Sequence, residues 1–554
     1  MFMLSDAACK LATQPIRKRN LARLRIAVDG DVAISPSYPD IKIDLRSFDW
    51  KDRGYSRNWW WSMQQLPSVA WSAGDLDVLD SEFRKKIMLL NESLIGSWSR
   101  ECRGKPSTVP LAWHDHASAL RAIHLFRWTS SLFAAKCIET DIESNKKLIL
   151  EHAHWLADSA NYSMGNNHGF EQSWILLEIA CDWQGVDELR QYEELACRRL
   201  RWEVEEAFTS DGVHIENSPE YQYFMLKRLR QLHKFLEARH MELIGLDCAR
   251  LIKKSEHFLQ SLVIPDGRFP LIGDTQNKPK YRDDLIRYHK QNKGEGDRKV
   301  DYSSSGYFIW RSSEREDSPG IHFIMKCAHD SQYHRHDDDL MVHLVVDGDV
   351  VFGDSGLYMH DGKCAVREYM RSPYAHSTVF PDGVTRSNRN PNRLRKRPNL
   401  IYKEKSFSVM GTTFLFDGLV LSRRCKMIGR RDRIMKISDI ANNKHGEDRK
   451  MITSFILPWK VQVEVDDEEQ IIRIPFTSER DIELERISGA LDRVRIFRGW
   501  NGSAKNSAVT SELVGQLADA TRLQIEWTAR SNSKSKIELL VRFASTHDNL
   551  DSAR

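Results

Sequence analysis

The feature that most constrains this chain is a change of hydrophobic period near its middle. From about residue 76 to 263, apolar residues recur every three or four positions. In YQYFMLKRLRQLHKFLEARH they are Tyr221, Met225, Leu229, Leu232 and Leu236, one stripe along a helix. SWILLEIACDW and RLRWEVEEAF read the same way. After PDGRFPLIGDTQNKPK comes a polar stretch of linker composition, RYHKQNKGEGDRKVDYSSS. From Gly306 onward the segments are short, β-rich and turn-bounded: GYFIWRS, IHFIMKCA, LMVHLVVDGDVVFGDSG, RIMKISDIA, KVQVEVD, IIRIPF and IELLVRF. The Asp-Gly pair in VVDGDVVF predicts a tight hairpin. The fold class predicted is α+β and multidomain: a mixed segment over 1–75, a bundle or toroid of helical hairpins over 76–300, and an antiparallel β-sandwich over 301–554.

Composition narrows the function classes. The chain has 82 basic and 78 acidic residues, so its net charge gives no case for a nucleic-acid partner. Nine scattered Cys residues, with no CxxC pair, argue against a disulfide framework or a Cys-rich zinc site. No stretch of about 18 apolar residues is present, so no membrane span is expected. MFMLSDAACKLATQPIRKRN has no apolar run behind a basic start and does not read as a signal peptide. A cytoplasmic protein is expected from the chain as it stands, or a periplasmic or secreted one if a leader has been trimmed. A homodimer is compatible with the sequence.

Four polar clusters carry candidate chemistry. YHRHDDD precedes a strong strand. Its His-x-His spacing turns His334 and His336 to one face, because strand side chains alternate. Asp354 ends the next strand, and the hairpin returns it towards His336. His376, in SPYAHSTVF, offers a third ligand, and two His with one Asp suit Zn²⁺. NNHGFEQ opens a helix with a capping Asn, and Glu171 falls one turn after His168 on the same face. In HIENSPEYQY, Pro219 suits a helix start and places Tyr221 in the first turn. LAWHDH, followed by Arg121, places Trp113 and His114 at a helix start, as a sugar platform or as packing and capping. The run from Arg386 to Arg397 is basic enough to track an anionic polymer, or to be a solvated loop.

Taken in order, NNHGFEQ, ENSPEYQY, GYFIWRS, YHRHDDDLMVHLVVDGDVVFGDSG and REYMRSPYAHSTV resemble the heparinase II/III-like superfamily of polysaccharide lyases. The resemblance runs from about Asp49 to the last strands. It implies an N-terminal (α/α) toroid, a C-terminal antiparallel β-sandwich and β-elimination on a uronic-acid-containing glycan, in a cleft between a helical and a β-domain. By motif position it implies that Asn167 neutralises the uronate carboxylate and that His168 and Tyr221 form the acid/base pair. His334 would be an additional catalytic His. His336, Asp354 and His376 would bind structural zinc, although some members use the residue matching His376 in catalysis. Trp113, His114, Arg121 and Tyr369 are the expected substrate contacts. The chain departs from the pattern in its DDD run, where Asp337, Asp338 or Asp339 is a candidate extra ligand, and in its basic RSNRNPNRLRKRP insertion.

These residue types suit the reaction. A donor at the uronate carboxylate stabilises the enolate-like intermediate formed when C5 loses its proton. A base reaches C5 and an acid protonates the leaving O4, and His or a Tyr of lowered pKa can do either. Tyr221 is expected as the acid, and as base for one C5 epimer. His168 or His334 is the base for the other, and Glu171 would orient His168. Two alternatives stay open. A glycoside hydrolase on a similar toroid would need paired carboxylates from Glu171, Glu216 and Glu220. A non-catalytic acidic-glycan-binding protein would need no Asn, His and Tyr together. Heparan-like glycan, alginate and bacterial exopolysaccharide are all candidate substrates, as polymer or oligosaccharide.

Overall fold

The computed structural model describes residues 3–104, 108–137, 142–291, 298–312, 319–327, 331, 334–360, 364–384, 399–428, 434–458, 461–466, 468, 470–476 and 480–545. The basic run between Arg386 and Arg397, and Tyr333, lie outside the described residues. The chain divides into two compact units, Met1–Ala207 with Gln231–Asp247, and Phe208–Arg230 with Cys248–Arg554.

The first unit is helical. Some of its helices start at side-chain caps: Ser5, Ser56 and Asp80 accept from the backbone N–H groups of Ala8, Trp59 and Phe83. The Trp-rich segment is core rather than surface, with Trp50, Trp59 and Trp60 buried around Phe48. Residues 1–75 form no separate segment; Trp50 Nε1 donates to Ser97 Oγ at 3.1 Å inside the same helical unit. The helix Asp115–Ala134 is buried along most of its length, because Ala117, Ser118, Ala119 and Ala122 let neighbouring backbones approach. The helix Asn167–Asp182 packs on it and on Asp187–Ala207.

Among its described residues the second unit holds three antiparallel sheets with one shared core. Five strands run as a meander, Arg298–Tyr302, Tyr307–Ser312, Ile321–Lys326, Met341–Val346 and Asp349–Phe352. The last two join through Asp347 and Gly348, both at positive φ, as the Asp-Gly signal predicts. An eight-stranded and a second five-stranded sheet complete the layers. Phe323, Leu344, Phe380, Leu421, Phe455, Leu523 and Val541, drawn from all three sheets, belong to one buried cluster. Helices also belong to this unit, which moves the boundary away from residue 300. Phe258 and Leu262 of the helix Cys248–Leu262 bury against Tyr302, Tyr307, Ile309, Ile324 and Met341 of the first sheet. An apolar helix face goes where apolar strand residues can cover it, whatever the order in the chain. Among the described residues no helix is long and apolar enough to cross a membrane.

Candidate active site

In the first unit, candidate residues gather at the start of the helix Asn167–Asp182. The cap is Asn166, whose Oδ1 accepts from His168 N at 2.8 Å and Gly169 N at 3.4 Å. Asn167 is therefore the first helical residue, and among the described residues its amide makes no hydrogen bond within the protein. His168 Nδ1 lies 3.0 Å from Asp115 Oδ2, and the His168 ring stacks on His116 with centroids 4.4 Å apart. The sequence expectation that Glu171 orients His168 is thus corrected. Glu171 is buried, and the carboxylate bonded to His168 comes from Asp115 at the head of another helix.

Gly169 explains its place in the motif. A Cβ there would collide with the carbonyl of Ser163 and the carboxylate of Glu203, which receives Gly165 N and the Tyr162 hydroxyl. Gly169→Ala is expected to displace the 163–166 loop, costing about 1–3 kcal/mol by overpacking. A thermal melt checks this, and an unchanged midpoint would show that the loop yields freely.

Two expected substrate contacts, Arg121 and Tyr369, are corrected by burial. Arg121 is 0% exposed, and its guanidinium donates to Gln64 O, Ala112 O, Ser118 Oγ and His152 Nε2 while lying on Trp98. Trp113 packs between His152 and Trp155, with its Nε1 donating to Cys102 O. Tyr369 is 0% exposed, with its hydroxyl near Ser355 Oγ and the Val509 N–H. An aromatic or Arg in a motif is often core, as Arg121 and Tyr369 are, whereas Trp113 stays half-buried. His114 is held from two sides, by Arg57 Nη2 at 3.1 Å and Asp115 Oδ1 at 2.8 Å.

In the second unit, Tyr221 and His334 meet. Their rings stack with centroids 3.6 Å apart, and His334 Nδ1 lies 3.0 Å from Asp274 Oδ2. Asp274, absent from the sequence expectations, is the hub. It is 1% exposed, accepts both arms of Arg367 and lies 2.7 Å from His336 Nε2. Burial alone would raise its pKa, but His334, His336 and Arg367 hold the carboxylate well below its ordinary value. Its loop is placed by Ser218, whose hydroxyl donates to Asp274 O, and by Gly273 at φ +57, where a Cβ would sit 2.5 Å from Asn217 O. Ser218 immediately precedes the helix Pro219–Glu237, so the helix that carries Tyr221 and the loop that carries Asp274 are fixed together.

The Tyr221 phenol is pushed above its ordinary pKa, first by burial and then by Asp274, Glu216 and Glu220, with Arg367 opposing. This reverses the expectation of a lowered pKa. The pocket favours neutral phenol, the form that donates a proton.

The three expected ligands also meet. One ligand atom from each of His336, Asp354 and His376 lies within 4.8 Å of the others, and all three residues are buried. His376 Nδ1 is 2.9 Å from both Asp354 oxygens, while His376 Nε2 and His336 Nδ1 are buried with no hydrogen-bond partner among the described residues. Burial lowers the His336 pKa, which favours the neutral, ligating ring. Among the described residues the DDD run adds no ligand to the cluster. Asp338 is ion-paired to Lys326 at 2.7 Å, and Asp339 accepts from Thr413 Oγ1.

Comparisons with known proteins agree with this architecture. Residues 112–293 match the heparinase II/III N-terminus, and residues 295–530 match the heparinase II/III-like C-terminal domain. The chain belongs to the heparinase II/III superfamily and is a polysaccharide lyase by class. Its fold is similar to heparan sulfate lyase HepC from Pedobacter heparinus, at 14% identity and TM-score 0.69 over 96% of this chain and 84% of that one. It is also similar to the BT4657 heparinase III, at 14% identity and TM-score 0.72 over 97% and 85%, and to a further heparinase III, at 14% identity and TM-score 0.71 over 97% and 87%. No curated protein sequence matches the chain.

Proposed function

We propose that this lyase cleaves a uronic-acid-containing glycan by β-elimination, leaving an unsaturated uronate end. The observation that carries the reading is the division of labour at the helix Asn167–Asp182. Asn166 takes the capping role, which leaves the Asn167 amide available to bind a carboxylate beside an imidazole already oriented by Asp115. Asn167 then stabilises charge on the uronate, His168 removes the C5 proton, and Tyr221 protonates O4. A neutral donor aimed at developing charge is worth roughly 3–4 kcal/mol of barrier. His334 stays a candidate second base, positioned by Asp274 at 3.0 Å. The carboxylates that the hydrolase alternative would need, Glu171, Glu216 and Glu220, are all buried. Glu220 is buried and holds Lys278 at 2.6 Å and Gln276 N at 3.1 Å. The relatives described as heparan sulfate lyase and heparinase III make heparan sulfate the first substrate to try, with alginate and bacterial exopolysaccharides beside it. Near-ultraviolet absorbance and product size on this panel identify the substrate. Depolymerisation without new absorbance would contradict elimination.

The same proposal includes a structural Zn²⁺ held by His336, Asp354 and His376. Two unpartnered buried imidazole nitrogens beside a carboxylate are a donor set that Zn²⁺ satisfies. Bound there, the ion would supply rigidity rather than an activated water, since elimination consumes none. Asp274, bonded to His336, would act as the outer partner that orients a ligand. Metal analysis is expected to find one Zn²⁺ per chain. Chelation is expected to lower stability by about 3–4 kcal/mol, the value for a site filled at 100–1,000 times its Kd. His336→Ala should lose both metal and stability, and a metal-free wild-type chain of unchanged melting point would refute the zinc assignment.

A further inference from the structure

The helical unit contains a series of polar contacts that ends on His168, hydrogen-bonded except at His114 Nδ1, which lies near Asp115 without hydrogen-bond geometry. Arg57, in the helix Arg57–Met63, approaches His114 Nε2 with Nη2 at 3.1 Å. A guanidinium only donates, so His114 Nε2 accepts and the His114 ring proton sits on Nδ1. That nitrogen lies 2.8 Å from Asp115 Oδ1. The His116 backbone N–H donates to the same oxygen at 2.6 Å. The other oxygen, Oδ2, accepts from the Ser163 hydroxyl and faces His168 Nδ1 at 3.0 Å. Burial alone would raise the Asp115 pKa, but the contacts from His114, His168, Ser163 and the His116 N–H hold it far below its ordinary value. Asp115 is therefore an ionised acceptor with no proton to give. His168 Nδ1 must carry the hydrogen, and the stacked His116 ring restrains His168 from turning over. Trp61 in turn packs on His116, with centroids 5.4 Å apart.

We propose that Asp115, set by the His116 N–H and the Ser163 hydroxyl, is the positioning residue that holds His168 in its Nδ1–H tautomer and presents Nε2 as the proton acceptor. The role of that Nε2 rests on the β-elimination reading. The tautomer itself does not.

The test separates the two. Nitrogen-15 spectra of histidine-labelled full-length enzyme at alkaline pH, with His168→Gln to assign the signal, report which ring nitrogen bears hydrogen. Wild type is expected to show His168 as Nδ1–H. Asp115→Asn, which can donate where the carboxylate could only accept, is expected to shift His168 towards Nε2–H. With heparan sulfate or alginate as probe substrate, its kcat should fall about 100-fold or more, as when a tautomer-fixing carboxylate is lost, with KM within about threefold. Asp115→Glu should recover part of the loss. An Nε2–H tautomer in wild type overturns the proposal even if Asp115→Asn fails to fold. So does a folded Asp115→Asn with wild-type tautomer and kcat. A fully active His168→Ala would instead overturn the catalytic reading of His168 and leave the tautomer result standing.

Discussion

Tyr221→Phe lowers kcat by about 100- to 10,000-fold, the range for removal of a general acid, and leaves KM and the melting temperature nearly unchanged. The substitution removes one oxygen. The ring stack on His334 survives, and among the described residues the lost hydroxyl has no hydrogen bond within the protein to break. The sign of the electrostatics supports the acid role. Burial and the neighbouring Asp274, Glu216 and Glu220 raise the phenol above its ordinary value of about 10. Tyr221 thus stays protonated through neutral pH, and its ionisation contributes no rise in rate between neutral and mildly alkaline solution. A rate that climbed tenfold per pH unit there, and lost that slope in Tyr221→Phe, would show the phenolate acting as base. Activity retained within about threefold in Tyr221→Phe would remove the residue from the mechanism.

The second large effect distinguishes two adjacent asparagines. Asn167→Ala is expected to reduce kcat about 100- to 1,000-fold, as when one donor to a developing anion is lost, without changing stability. Asn166→Ala is expected to do the reverse first. It removes the acceptor for His168 N and Gly169 N, costing roughly 1 kcal/mol of helix capping, and reduces activity only by loosening the helix start. Kinetics and melting curves on both variants measure the contrast. Equal kinetic defects would mean that the motif acts as a cap and that Asn167 has no separate role.

Local spacing made much of this molecule readable. The Asp347-Gly348 hairpin, the turn-bounded strands and the helical period all follow from rules that act over a few residues. The meeting of His336 and Asp354 was legible for the same reason, since one hairpin links them, whereas His376 joined them through the family resemblance. The misreadings concern what covers a side chain. Arg121 and Tyr369 look like glycan contacts in a motif and are buried to 0% exposure in the fold. Nothing in the local sequence says which face of a helix is capped by a neighbour. Asp115 and Asp274 were overlooked for a related reason. Each lies far in sequence from the imidazole it holds, 53 residues in one case and 60 in the other. Glu171, one turn from His168, was the local choice, whereas the fold supplied a partner from another helix. The unit boundary follows the same logic. Phe258 and Leu262 obey a helical period, but the strands that cover them begin about 40 residues later.

In the proposed reaction the glycosidic bond breaks by elimination. Mass spectrometry of the smallest products, read alongside near-ultraviolet absorbance, tests it most directly. The expected products are oligosaccharides whose new non-reducing end is lighter by one water than the hydrolysis product and absorbs in the near ultraviolet, with both signals forming about 100- to 1,000-fold more slowly in Asn167→Ala. Saturated products of full hydrolytic mass would contradict it.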